Sequence, residues 1–248
     1  MKKQLLPGLI AFFVIFIIGG TFWYFTRPSP PVAPASRKNE TTPPPPPLVG
    51  SQDVPKPPEG FAELKDNNRT MRESLRKDLK EKFSEIIKRL ETEPGDSALW
   101  VDLGSIKYAF DDFNGAEDAW KYAIEINLLA DAARMNLAAL YQYKVPNYPE
   151  AERMLRMVIE NNPPDAIRVY AELFDLYRYR YSEKAHLAEG VMLEAYRRYP
   201  AEHAILKTLA WYYLEQKNEA RAIEYFEKYL EKDPTDVSAQ EELARLRQ

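Results

Sequence analysis

From Phe61 to the C-terminus the apolar residues recur at spacings of three and four, the period of helices that bury one face. Met71, Leu75, Leu79, Phe83, Ile86 and Leu90 form one stripe on a highly charged stretch. Thr70 with Glu73 three residues later reads as a capping box, and Pro94 as a stop, which predicts a helix over 70–92. Two other patterns precede it. Between Lys3 and Arg27 there is no charged residue, and Leu5 to Phe25 would span about 31 Å as a helix, the thickness of a bilayer's hydrocarbon core. Trp23 and Tyr24 sit where an interfacial aromatic belt would lie. The run is long for a cleaved leader, and the small-x-small stretch Ala33-Pro34-Ala35 lies well beyond it, so the pattern predicts an uncleaved anchor in contact with lipid through residues 5–25. Lys2 and Lys3 favour a cytoplasmic N-terminus, with everything after residue 26 translocated. Residues 28–58 then hold 12 of the 20 prolines and few large apolar side chains, the composition of a disordered, extended spacer.

Beyond residue 97 the helical pattern repeats. Stretches beginning at Trp100, Arg134, Tyr170 and Leu206 are each followed by a second stretch opening on alanine, at Ala116, Ala151, Ala188 and Ala222. Those alanines stand 35, 37 and 34 residues apart. Pro163, Pro200 and Pro234 close three of the units.

This arrangement resembles the tetratricopeptide repeat (TPR), in which each repeat is an antiparallel helix pair. The first unit matches at Trp100, Leu103, Gly104, Ala116, Trp120 and Ala123, and the second at Leu137, Ala138, Tyr141, Ala151, Leu155 and Pro163. The third matches at Tyr170, Leu173, Tyr177, Ala188, Met192, Ala195 and Pro200. The fourth matches at Leu206, Leu209, Ala210, Tyr213, Ala222, Phe226 and Pro234. Lys107 stands where the first unit should carry tyrosine, Leu128 replaces its closing proline, and bulky Phe174 occupies a small-residue position in the third. The resemblance implies an all-α solenoid of about four helix pairs, with units at 97–130, 131–164, 165–201 and 202–234. Flanking it are an anchor (1–26), a proline-rich linker (27–60), a charged helix acting as cap or degenerate repeat (61–96) and a capping helix (235–248). The small residues let neighbouring helices approach, since a lone pair cannot bury its apolar face.

The register also explains the stretch YRYRY at 177–181. Its alternation imitates a strand, or a surface for single-stranded nucleic acid, but it ends the first helix of the third unit. Of 34 Lys/Arg and 38 Asp/Glu, six and three fall in residues 1–60, leaving 28 and 35 in the helical part. That acidic balance opposes nucleic-acid binding. The sequence holds no cysteine and only two histidines, His186 and His203, in different units. With no glycine-rich phosphate loop either, it predicts no enzyme, no metal site and no cofactor.

What the resemblance implies instead is a binding groove on the first helices of the units. The family's groove positions fall on Tyr108, Gln142, Tyr143, Arg168, Asp175, Arg178, Tyr179, Lys207, Trp211 and Leu214. Aromatic and cationic side chains there suit a peptide or protein ligand, with a carboxylate as one candidate group, and the side chains of Arg178, Tyr179 and Trp211 are expected to point to solvent. Val101 and Ser105 replace the first two residues of the clamp with which some TPR domains hold chaperone C-termini. The order of anchor, spacer and repeats is similar to that of bacterial envelope assembly factors. It points to a single-pass scaffold of the inner membrane facing the periplasm; the alternative is a cytosol-facing receptor or co-chaperone-like protein on a membrane.

Overall fold

A computed structural model describes residues 54–248, all of whose regular structure is helical. The expected anchor and the spacer up to residue 53 lie outside the described residues. Among the described residues no helix is long and apolar enough to cross a membrane. The chain divides after Ile126 into two compact units.

The unit of residues 54–126 has three helices, α1 (Glu73–Leu90), α2 (Ser97–Ala109) and α3 (Phe113–Ile126). In the α2–α3 pair, Trp100, Leu103, Ala116, Trp120 and Ala123 are all but fully buried. A methyl group on Gly104 would lie 2.4 Å from Trp120 Nε1, so the close approach requires glycine. That indole N–H donates to the Val101 carbonyl at 3.0 Å. Asp96 caps α2 through the Ala98 N–H, and Trp100 Nε1 donates to the Pro94 carbonyl at 2.8 Å.

Helix α1 starts later than its sequence suggests. Its N-cap is Arg72, without a side-chain cap bond. Thr70 instead donates both N–H and Oγ1 to Asn68 Oδ1, and Asn68 Nδ2 reaches the Ala109 carbonyl at 2.9 Å. Residues 54–72 form a strap along the helix pair, so positions 54–60 belong to the folded unit and not to the spacer. Tyr122 Oη donates to the Pro55 carbonyl, and the Phe61 ring packs on Trp100 at 5.1 Å. Asn67 N–H donates to the Phe110 carbonyl at 3.0 Å.

Lys107 completes the clasp. It is 2 % exposed, donates to the Glu63 carbonyl and to Asp112 Oδ2, and lies over the Phe83 ring of α1. Irregular chain with turns, and not a helix, thus precedes α1 in this unit.

The unit of residues 127–248 comprises α4 (Asp131–Tyr143), α5 (Tyr148–Asn161), α6 (Ala166–Tyr179), a 3-10 helix (Ser182–Leu187), α7 (Ala188–Arg198), α8 (His203–Glu215), α9 (Glu219–Leu230) and α10 (Val237–Leu246). Neighbouring helices pack as pairs, α4 with α5, α6 with α7 and α8 with α9. Ala151, Ala188, Ala195, Ala210 and Ala222 are completely buried between helices, as is Phe226. Asn147, Asn218 and Asp236 cap α5, α9 and α10 through backbone N–H groups. The additional residues in the turn of the third unit are taken up by the 3-10 helix. Phe174 fits its small-residue position by setting its ring edge-on to Tyr212 at 5.6 Å.

Successive pairs are joined by a recurring bond. Tyr177 Oη donates to Glu152 Oε1, and Tyr213 Oη to Glu189 Oε1, each at 2.7 Å. Lys184 and Arg221 neutralise the two carboxylates. Burial and the bond to Glu152 push the Tyr177 hydroxyl up to about 12. Each glutamate directly follows a pair-opening alanine, Ala151 or Ala188, and that repeated Ala-Glu step was a readable signal.

Helix α10 begins like the first helix of another unit. Asp236 caps it as Asp96 caps α2, and Gln240 Nε2 donates to the Pro234 carbonyl as Trp100 does to Pro94. Leu243 is buried and Leu246 half-buried.

Candidate functional site in residues 127–248

The residues assigned to a groove separate into several environments. Tyr108 belongs to the other unit, where its ring packs against Phe113 and Trp120. Gln142, expected to face a ligand, is 2 % exposed, and its Oε1 has no hydrogen-bond donor among the described residues. One residue further round the helix, Tyr143 emerges to 38 % exposure, since adjacent helical positions turn by about 100°. Tyr179 ends α6 at the same register and is 65 % exposed. Two consecutive first helices thus each finish on a projecting tyrosine.

The basic residues are mostly engaged within the protein. Arg168 Nη2 donates to Asp165 Oδ2 at 2.6 Å. Arg178 Nη2 reaches Glu215 Oε2 at 2.8 Å, and its guanidinium lies 5.3 Å from the Tyr212 ring centre. Lys207 Nζ pairs with Asp236 Oδ2 at 2.7 Å and lies over the Tyr229 ring. Trp211 is half-buried, with its ring edge-on to Phe226 at 5.2 Å, and Leu214 is half-buried too. The expectation that Arg178 and Trp211 stand free in solvent is therefore corrected: each has a packing role.

A cluster forms around Tyr143. The Arg180 guanidinium sits 4.1 Å from its ring centre, a close cation–π contact. Glu172 and Asp175, three residues apart on one face of α6, lie within electrostatic reach of both. Burial raises the Glu172 carboxyl above its ordinary range, Asp175 adds to the rise, and Arg168 and Arg180 oppose it. Asp175, more exposed at the rim, is raised chiefly by loss of solvent, with Arg180 opposing. Burial, and then the Glu172 charge, likewise raise the Tyr143 hydroxyl.

Glu172, Arg180, Tyr212 and Glu215 were missed in the sequence. Arg180 and Glu172 could have been found from the family register, because Arg180 follows Tyr179 directly and Glu172 lies one helical turn from Arg168 and Asp175; the pairing of Arg178 with Glu215, 37 residues away, could not. Among the described residues no group of three or more His, Asp or Glu side chains is placed to hold a metal ion.

Residues 203–246 match the tetratricopeptide-repeat family model. No curated protein matches the sequence. Among solved structures, MamA is similar at 17% identity and a TM-score of 0.51, covering 66% of this chain and 94% of its own. YrrB, described as a TPR protein with an unusual peptide-binding site, is similar at 16% identity and a TM-score of 0.47, covering 65% of this chain and 81% of its own. PilW, a type IV pilus biogenesis factor, is similar at 15% identity and a TM-score of 0.47, covering 65% and 73%. The helix pairs and their buried alanines give the chain an all-helical fold similar to that of MamA, and residues 203–246 carry a match to the tetratricopeptide repeat.

Proposed function

We propose that this protein is a membrane-anchored scaffold that binds a peptide or protein segment along the first helices of residues 127–248, and so assembles or assists a complex at a bacterial cell envelope. One observation carries the binding role: Tyr143 and Tyr179 project from equivalent positions of α4 and α6. Large exposed rings at a repeating position are suited to contact with an extended partner, because aromatic side chains supply contact area at small entropic cost. The anchoring role is supported by the uncharged stretch between Lys3 and Arg27, and the outward orientation by Lys2 and Lys3.

Capture of partners by the full-length chain and by its Tyr143→Ala/Tyr179→Ala variant tests the binding role. Loss of a partner at unchanged helicity supports it, and equal recovery of every partner contradicts it. A reporter fused after Gln248 tests the orientation, since activity on the cytoplasmic side would overturn it.

A further inference from the structure

Residues 54–64 lie on α2 and α3 in the manner of a bound peptide. Three points hold them. The Pro55 carbonyl accepts from Tyr122 Oη, the Phe61 ring packs on Trp100, and the Glu63 carbonyl accepts from Lys107 Nζ. We propose that this part of the strap is displaceable, and that the face beneath it binds a proline-containing segment of a partner protein that also carries an aromatic side chain. The strap covers much while burying little of itself. Trp100 is 0% exposed, and Tyr122 and Lys107 are each 2% exposed, yet no residue from 54 to 78 is itself buried. The helix pair keeps a core of its own in Leu103, Ala116, Trp120 and Ala123. A segment with few buried apolar contacts opens at lower cost than the helices it lies on.

The chain just beyond supplies the hinge. Asp66 pairs with Arg76 and, at 2.9 Å, with Lys80, both on α1. Asn67 N–H and Asn68 Nδ2 donate to the Phe110 and Ala109 carbonyls at 3.0 and 2.9 Å. Residues 54–64 can lift while these bonds hold α1 in place, and Lys107 then keeps Asp112. The strap also shows the chemistry of what would replace it. Two of its three contacts are backbone carbonyls, which any chain supplies, so selectivity falls on Phe61 and the half-buried Pro55, Pro57 and Pro58. The Trp100 and Tyr122 rings, 4.4 Å apart, form the aromatic surface on which Phe61 sits. Aromatic surfaces of this kind take proline-rich segments, which lose little freedom on binding. Nothing in this device depends on the site in residues 127–248.

The test uses the full-length chain in detergent micelles and a fluorescent peptide with the sequence of residues 54–67. A disulfide in the Val54→Cys/Gly95→Cys variant locks the strap down, because a methyl group on Gly95 would lie 3.2 Å from Val54 Cγ2, and the sequence holds no cysteine of its own to interfere. Oxidised, this variant should bind the peptide at least about tenfold more weakly than when reduced, since apparent affinity follows the fraction of strap that is open. Phe61→Ala, which loosens the strap, should bind the peptide about tenfold or more tightly than the wild type. A peptide with alanine in place of its phenylalanine should bind about tenfold or more weakly. Equal binding in the oxidised and reduced states, including none in either, overturns the inference. So does a folded Phe61→Ala variant that binds no more tightly than the wild type, or an alanine peptide that binds as well as the original. Should Phe61→Ala lose helicity, the oxidised and reduced forms of the cysteine variant decide the question by themselves.

Discussion

At one register position the two units solve the same packing problem with different chemistry. In residues 127–248 the first helices carry Tyr177 and Tyr213, whose hydroxyls reach a glutamate on the preceding pair. In residues 54–126 the position holds Lys107, whose ammonium reaches a backbone carbonyl of the strap and the buried Asp112. A repeat preceded by another repeat meets a helix that offers a side-chain acceptor. A repeat preceded by extended chain meets exposed peptide carbonyls, and a long flexible cation can reach one. The departure from the repeat pattern at Lys107 therefore marks where helical stacking gives way to a strap.

The largest effect that could break this comparison is at Lys107. Lys107→Ala leaves Asp112 buried and unpaired, which should cost about 3–5 kcal/mol. Tyr177→Phe should cost only about 1 kcal/mol, since Glu152 keeps Lys184. Denaturant titration of both variants measures the difference, and equal losses would mean that the two positions are not used differently. Gly104→Ala comes next. Its added methyl meets the Trp120 indole, for a loss of about 1–3 kcal/mol in the same titration. Ala138 and Ala210 hold the equivalent place in the other unit and already carry that methyl, at 1% and 0% exposure.

Why some of this was legible and some not follows from the type of signal. Buried alanines and the three-and-four spacing are set by contacts within one helix pair, so Ala151, Ala188 and Ala222 could be placed from sequence. The strap has no periodicity, because it binds through Pro55 and Glu63 carbonyls that any residue supplies. Thr70 and Glu73 match a cap pattern, but Asn68 takes the threonine for a turn of its own. At the candidate site the face of each helix was legible, while burial at single positions was not. Gln142 and Tyr143 are neighbours, one inside and one outside. Arg178 has the chemistry of a ligand contact, but Glu215, distant in sequence, holds its guanidinium.

Two smaller effects sharpen the contrast further. Asp236 accepts from Lys207, from the Ala239 N–H and from Tyr229, which lowers its carboxyl from 3.8 to about 2. A depressed carboxyl stabilises the fold above its ordinary value and loses that contribution as pH falls toward the folded value. The stability difference between the wild type and Asp236→Asn should accordingly be full near neutral pH and shrink between about pH 4 and pH 2. A difference that grows in acid would contradict the assignment. The smallest effect is at the turns within pairs. Lys217 and Asp111 both have positive φ, 56° and 57°, which glycine adopts freely and aspartate tolerates better than lysine. Lys217→Gly should therefore gain up to about 0.5–1 kcal/mol in thermal unfolding, and Asp111→Gly less.

The claim that the first helices of residues 127–248 receive the partner is tested most directly by hydroxyl-radical footprinting of the full-length chain with and without a captured partner. Tyr143 and Tyr179, exposed on α4 and α6, should lose reactivity when the partner is bound. Tyr148 and Tyr196, half-buried on the second helices α5 and α7, should keep theirs. Protection of Tyr148 and Tyr196, with Tyr143 and Tyr179 unchanged, would place the partner on the opposite faces of the pairs and contradict the account.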